Sequence, residues 1–242
     1  MTDDLWRSAQ DSLDAAGAQG RHIDVWLRDD DCVSVTPALE RLTYLCDRVG
    51  LPILLAVIPL PAEQALASWL RVHPLVTPCQ HGFAHANHAA PGERARELGG
   101  RSVSIVLDDL AQGRARLQQL FGPALSDMLV PPWNRIDGDV IPHLPNLGFS
   151  ALSCFAPTPE ASPIQRLDSD LDIIDWRGGR IGRPLYDLAR KLAGIVDRQD
   201  RLGILTHHLA HDAAAWDALG DMVERLASHP AVRFATAASL LA

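Results

Sequence analysis

Five apolar, strand-like runs of this 242-residue chain each end in a short cluster of polar residues. The clusters occupy residues 29–31, 81–88, 133–135, 175–176 and 207–208. In parallel sheets and barrels the carboxyl ends of the strands share one face, and active sites are built there. One polar cluster after a strand would be ordinary, but five such clusters favour a common site. The sequence therefore predicts a parallel α/β layer or barrel.

The segments between the clusters favour the same class, because strand-like runs alternate with helical spacing. Strands are predicted at residues 23–27, 52–58, 74–76, 128–130, 149–154, 171–174, 202–205 and 232–235. Helices are predicted at residues 3–16, 37–49, 62–72, 103–121, 139–147, 185–196 and 213–226, with a further helix closing the chain. Residues 156–163 are Pro-rich and predict an exposed loop. No internal repeat or long linker divides the chain.

Composition argues against several classes of protein. The formal net charge is −8 and no basic block occurs, so we expect no nucleic-acid partner. No apolar run has the length of a membrane span or of a signal peptide, so we expect a cytoplasmic protein with no membrane partner. The four cysteines form no Cys-x-x-Cys pair, which favours reduced, buried thiols. We expect a small-molecule or sugar substrate, and the oligomeric state stays open.

The two strongest clusters combine carboxylates with imidazoles. Asp29, Asp30 and Asp31 follow one predicted strand, and His81 and His85 follow another in a His-x-x-x-His spacing. A carboxylate with two imidazoles is the ligand set of a catalytic zinc-type site that leaves one position open for water. The spare carboxylates can move protons. This combination predicts metal-assisted hydrolysis.

Five motifs occur in a fixed order between residues 23 and 207. Residues 27–31 match a strand ending in Thr-Phe-Asp-Asp-Gly, and residues 81–85 match His-Ser/Thr-x-x-His except at Gly82. Residues 130–133 match Arg-Pro-Pro-Tyr with Val130 in the place of Arg. Residues 172–176 match Asp-x-x-Asp-Trp, and residues 204–207 match an apolar strand ending in His. In this order the motifs resemble those of the polysaccharide deacetylases, the carbohydrate esterase family with the nodulation-type deacetylase homology domain.

The resemblance implies a single domain over residues 1–242, a distorted (β/α) barrel with a mostly parallel central sheet, with residues 1–20 as an N-terminal helical extension. It implies metal-dependent removal of an acetyl group from an N-acylated sugar or a related small amide. The metal ligands would be Asp30, His81 and His85, holding a divalent ion, with zinc as the first candidate. The catalytic residues would be Asp29 as general base, His207 as acid and Asp175 as the residue that orients His207. The substrate pocket would contain Trp133, Asn134, Arg135, Trp176, Asp31 and His88.

Two features leave alternatives open. Three consecutive aspartates do not fix the register, so Asp31 or Asp29 is the alternative metal ligand. The family has Arg at the position of Val130, where it pairs with the catalytic Asp, and Arg135 or Arg28 is the candidate replacement.

Two rival functions follow from the same residues. Val130 motivates a catalytically degenerate carbohydrate-binding or regulatory domain of the same fold. An amidohydrolase barrel of the other common type would place His-x-His after its first strand, where this chain has aspartates. Outside the site, Asp172 is expected to close a turn, and Asn87 and Asp212 are expected to cap or bridge backbone groups.

Overall fold

A computed structural model of the chain describes residues 2–155 and 162–242. The described residues form seven α-helices: α1 (Thr2–Ala18), α2 (Pro37–Val49), α3 (Ala65–Leu70), α4 (Val103–Phe121), α5 (Leu185–Val196), α6 (Ala213–Ser228) and α7 (Ala237–Leu241). They also form eleven strands: β1 (Ile23–Cys32), β2 (Ile53–Val57), β3 (Val76–His81), β4 (Met128–Val130), β5 (Ala151–Leu152), β6 (Gln165–Arg166), β7 (Leu171–Asp172), β8 (Ile174–Asp175), β9 (Ile181–Gly182), β10 (Arg201–Thr206) and β11 (Val232–Phe234).

The predicted alternation of strands and helices is confirmed, and so is the α/β class. Strands β6 and β9 were not predicted, because a two-residue strand is too short to show a period. The segment Ile141–Leu147 is a 3₁₀-helix rather than an α-helix. Pro142 and Pro145 explain this difference, since each lacks a backbone N–H for a regular helix. The predicted loop at residues 156–163 lies largely outside the described residues.

A first compact unit comprises residues 1–29, 37–53 and 169–236. Here β1 pairs in parallel with both β10 and β11, and β10 pairs in parallel with β7. The register places Asp29 opposite Thr206 at the carboxyl end of β10. Helix α1 packs against α5 and buries Trp6 and Leu13 completely or nearly so. The N-terminal helix is therefore part of the core of this unit.

A second compact unit comprises residues 30–36, 54–168 and 237–242. Its strands lie in the order β6-β5-β4-β3-β2, and β3 to β6 pair in parallel. The core beside these strands consists of Leu98, Val106, Leu110, Leu129, Val140, Ile141, Leu144, Phe149, Leu152 and Cys154. His81 and Val130 are the last residues of β3 and β4 and are paired in register. The pairing of β3 with β4 therefore fixes His81 at the edge of the sheet where the polar residues begin.

Two expectations from composition concern the membrane and the cysteines. Within residues 2–155 and 162–242, no helix combines the length and hydrophobicity needed to cross a membrane. The four cysteines are buried, as predicted. Burial also raises the pKa of the Cys46 thiol, with help from the neighbouring charge of Asp29, so this side chain behaves as a small apolar group.

Candidate metal centre

Three side chains of the second unit converge at the ends of β1 and β3. Asp31 Oδ1 lies 3.1 Å from His81 Nε2 and 3.2 Å from His85 Nε2. One ligand atom from each residue falls within 4.8 Å of the other two, and no other group of this kind occurs among the described residues. A carboxylate oxygen and two imidazole nitrogens in this arrangement can hold a divalent cation with room for a further ligand.

The hydrogen bonds of His81 show that a cation fits this cluster. His81 Nδ1 lies 2.9 Å from the Val130 carbonyl oxygen, and a carbonyl only accepts, so Nδ1 carries the proton of that bond. In the neutral ring, the Nε2 lone pair then faces the Asp31 carboxylate, and a proton or a metal ion must lie between them. Burial lowers the pKa of His81, but the carboxylates of Asp30 and Asp31 outweigh it and raise the pKa overall. A backbone carbonyl that fixes the tautomer is also typical of metal-binding histidines.

Four residues at this site adopt left-handed backbone conformations although none is glycine. The φ angles are 71° at Asp31, 56° at His85, 54° at Trp133 and 57° at Asn134. Such residues cost about 1–3 kcal/mol each and cluster at functional sites, where surrounding contacts hold them. The Trp133 ring packs against the His85 ring at 4.3 Å between centroids, so Trp133 covers one side of the cluster. Trp133 therefore lies against the cluster, and the pocket role of Trp133 and Asn134 stays a prediction.

The aspartate that lies with the two histidines is not Asp30, the one expected from the sequence. The structure groups Asp31 with His81 and His85, which is the alternative that the sequence left open. Asp30 is 2% exposed and acts on His81 through its charge. Because three identical side chains stand in a row, no residue pattern distinguished the two registers, and the left-handed turn at Asp31 was not predicted.

Asp29 belongs to the first unit and lies in a buried polar network. Its Oδ1 accepts hydrogen bonds from Thr206 Oγ1 at 2.7 Å and from the His208 backbone N–H at 2.9 Å. Its Oδ2 accepts a further hydrogen bond from His208 Nδ1, and both side chains are fully buried. Burial raises the pKa of Asp29, but the His208 and Thr206 contacts outweigh it and lower the pKa overall. Asp29 is thus an ionised anchor for the end of β10, with both oxygens engaged.

His207 lies beside an aromatic ring whose position is fixed by a hydrogen bond. His207 is 9% exposed, and Trp176 meets it edge-on at 4.7 Å between ring centroids. Asp172 accepts from Trp176 Nε1 at 2.7 Å and from the Ile174 backbone N–H at 2.9 Å. Asp172 therefore closes a turn, as predicted, and also holds the ring that contacts His207.

Asp175 forms an ion pair with Arg183 at 3.4 Å. Among the described residues no hydrogen bond or ion pair joins Asp175 to His207, so its predicted orienting role has no direct support. The sequence could not show this pairing, because Arg183 follows β9, a strand too short to be predicted.

Other residues near the motifs serve the backbone. Arg135 donates to the Ala95 carbonyl at 2.8 Å and pairs with no carboxylate of the described residues. His88 donates its backbone N–H to the Arg96 carbonyl and is not part of the metal cluster. Arg28 is fully buried directly before the aspartates and remains the candidate replacement for the family's Arg.

The predicted backbone roles of two polar residues are confirmed. Asn87 Oδ1 accepts from the backbone N–H groups of Ala89 and Arg96. Asp212 caps α6 through the Ala215 N–H at 2.8 Å.

The burial of His211 makes the stability of the protein depend on pH. Both its ring nitrogens are buried without a hydrogen-bond partner among the described residues, and the ring contacts Trp216. Burial lowers its pKa from the usual 6.5 to about 4. The unfolded chain therefore binds more protons than the folded one between these values, so stability is full above pH 6.5 and falls as the pH drops towards 4.

Between pH 7 and pH 4.5 we expect the unaltered protein to lose about 2 kcal/mol more stability than His211→Phe. Urea denaturation of both proteins at the two pH values measures this difference. An unchanged pH dependence in the variant would contradict the assignment.

Comparison with known proteins gives structural likeness only. No family model and no curated protein sequence matches the chain. The peptidoglycan deacetylase PdaC from Bacillus subtilis is 14% identical with a TM-score of 0.62, covering 90% of each chain. A family 4 acetyl xylan esterase from Clostridium thermocellum, in complex with a cobalt ion, is 15% identical with a TM-score of 0.60, covering 89% of each chain.

A third similar structure is a mutant of a CE4-family pseudoenzyme with restored enzymatic activity. It is 13% identical with a TM-score of 0.64, covering 91% of this chain and 68% of that one. The TM-scores of these three structures show a shared fold, and at such low identities the likeness shows the fold alone. That fold is the one implied by the five motifs: the chain has the fold of the polysaccharide deacetylase family.

Proposed function

We propose that the protein is a metal-dependent hydrolase that removes an acyl group, with acetyl as the first candidate, from an N-acylated sugar or a related small amide. The observation that supports this most strongly is the convergence of Asp31, His81 and His85. The fold adds support, since proteins of similar structure are described as a peptidoglycan deacetylase and an acetyl xylan esterase.

We propose zinc as the resident ion, held by Asp31 Oδ1 and the Nε2 atoms of His81 and His85. Two imidazoles with one carboxylate suit zinc and are typical of hydrolytic sites. When bound, such an ion polarises the acyl carbonyl and lowers the pKa of water. The Val130 carbonyl keeps the His81 ring oriented towards the ion, and Trp133 limits the access of bulk water beside His85.

We propose Asp30 rather than Asp29 as the general base. The oxygens of Asp29 accept three hydrogen bonds from Thr206 and His208, and the side chain is fully buried, which argues against contact with a water. Asp30 follows it in the chain and lies close enough to His81 to raise the pKa of that ring. The family's two-aspartate motif then corresponds to Asp30 and Asp31.

We propose His207 as the acid that protonates the leaving nitrogen, since an amine leaves poorly as an anion. Its place in the fifth motif, its low exposure and its contact with Trp176 support this role. His207→Gln is expected to retain zinc and to lose about 10²–10⁴-fold in kcat. Steady-state kinetics with bound zinc measured in parallel tests this, and an unimpaired kcat would remove His207 from the mechanism.

The alternative is a catalytically degenerate carbohydrate-binding or regulatory domain. Val130 favours it, and so does Arg135, which contacts the Ala95 carbonyl instead of a carboxylate. A screen of purified zinc-loaded protein against N-acetylglucosamine, its oligomers and small acetamides separates the two functions. Acetate release supports the hydrolase, whereas zinc binding without turnover of any of these compounds supports the degenerate domain.

The cytoplasm remains our proposed compartment, with the four buried cysteine thiols as support. The proposed substrate is accordingly a cytoplasmic sugar, sugar precursor or small amide.

A further inference from the structure

We infer that Glu97 is the positioning residue that shapes the metal-binding loop and holds His85 in place for the ion. This inference rests on the proposed function, because it assigns a role to Glu97 through the proposed ligand His85. Glu97 lies outside all five motifs. The side chain is nevertheless 1% exposed, which is rare for a carboxylate unless it has strong partners.

The partners of Glu97 are three backbone N–H groups of the loop that contains His85. Oε1 accepts from Ala84 at 2.8 Å and from Ala86 at 3.2 Å. Oε2 accepts from Phe83 at 2.9 Å. One oxygen thus accepts from the residues on both sides of His85.

This arrangement explains how His85 keeps an unfavourable backbone conformation. His85 has a φ angle of 56°, which is disfavoured for a residue with a Cβ atom. The hydrogen bonds from Ala84 and Ala86 to a single oxygen fix the direction of the chain before and after this turn. Because the turn sets the direction of the His85 side chain, Glu97 determines whether its Nε2 faces Asp31.

Gly82 shows that the loop is built around this carboxylate. The chain departs here from the Ser or Thr of the His-Ser/Thr-x-x-His pattern. A Cβ atom at Gly82 would lie 2.0 Å from Glu97 Oε2 and 2.6 Å from Pro132 Cγ, and the φ angle of 56° disfavours a side chain as well. Gly82 and Glu97 therefore depend on each other.

The carboxylate of Glu97 depends on the loop for its hydrogen bonds. No basic side chain of the described residues forms an ion pair with it, so the three N–H groups compensate its buried charge. A Gln at this position would keep the size of the side chain but direct an NH₂ group at one or more of these N–H donors. Glu97→Gln therefore loses the negative charge and at least one of the three hydrogen bonds, which weakens the anchoring without creating a cavity.

The test is the zinc affinity of Glu97→Gln, measured by competition with a chromophoric chelator. We expect the Kd for Zn²⁺ to rise about 10–100-fold, the range found when partners that orient metal ligands are lost. The absorption bands of bound Co²⁺ are expected to change, which a role in stability alone would not produce. Glu93→Gln is the matched control, since Glu93 lies on the same segment but is exposed and paired with Arg96. The control is expected to bind Zn²⁺ within about twofold of the unaltered protein, well below that range.

A folded Glu97→Gln protein with unchanged Zn²⁺ affinity and unchanged Co²⁺ bands would overturn the inference. If this variant does not fold, Glu97→Asp tests the same contacts, because it keeps the charge but withdraws both oxygens from the three N–H groups. A Kd raised at least tenfold supports the inference, and an unchanged Kd overturns it. If the unaltered protein binds neither Zn²⁺ nor Co²⁺, the proposed function itself is wrong.

Discussion

Asp31→Asn is expected to abolish high-affinity zinc binding, whereas Asp30→Asn is expected to retain it. Asp31 supplies the carboxylate that lies 3.1 and 3.2 Å from the two imidazole nitrogens. An amide in its place removes the negative charge and leaves two neutral ligands. The loss in affinity should exceed about 100-fold, the upper end of what is lost when an orienting partner is removed. Activity should fall with the bound zinc.

Asp30→Asn provides the contrasting result. With Asp31, His81 and His85 intact, zinc should remain bound while kcat falls about 10²–10⁴-fold through loss of the base. Zinc titration and kinetics on the same samples separate binding from turnover. If Asp30→Asn loses zinc and Asp31→Asn retains it, the metal ligand is Asp30, as the resemblance to the family implies.

Asp29→Asn is expected to destabilise the protein by about 3–5 kcal/mol, because it breaks a buried ionic network. Asp29 and His208 are both fully buried, and Thr206 completes the set of donors. An uncharged amide cannot accept from all three donors and leaves His208 Nδ1 facing an NH₂ group or an uncharged oxygen. For a chain of this length the loss corresponds to roughly 10 °C in Tm.

Urea denaturation of Asp29→Asn, with the exposed Asp217→Asn as control, measures this effect. The control is expected to stay within about 0.5 kcal/mol of the unaltered protein. If Asp29→Asn keeps full stability and loses kcat selectively, Asp29 is the base and the role assigned to Asp30 is wrong.

The strands were predictable as elements because apolar runs and polar clusters alternate, but β1 and β3 each extend five residues beyond the end of the predicted run. The structure accordingly places His81 at the end of β3 and Val130 at the end of β4, where main-chain pairing brings them together. Helix α2 likewise begins at Pro37, as its capping residues indicated. In both cases a local pattern predicts the element, whereas the pairing of the strands sets where β3 ends.

The details of the site depend on contacts that no local pattern records. The register of the aspartates follows from the left-handed turn at Asp31, which adjacent identical residues conceal. Glu97 stands in a charged, Gly-rich stretch in which Glu93 looks the same, and only its burial distinguishes it. Gly82 was the available signal, since the pattern has Ser or Thr there and a glycine allows a positive φ angle and the close approach of another group.

The most direct test of the metal centre is a crystal structure of the zinc-loaded protein with anomalous data collected at the zinc edge. We predict one peak bonded to Asp31 Oδ1, His81 Nε2 and His85 Nε2 at about 2.0–2.2 Å. No peak at these atoms in zinc-saturated protein, or a peak ligated by other residues, would contradict the proposed centre and the hydrolase mechanism built on it.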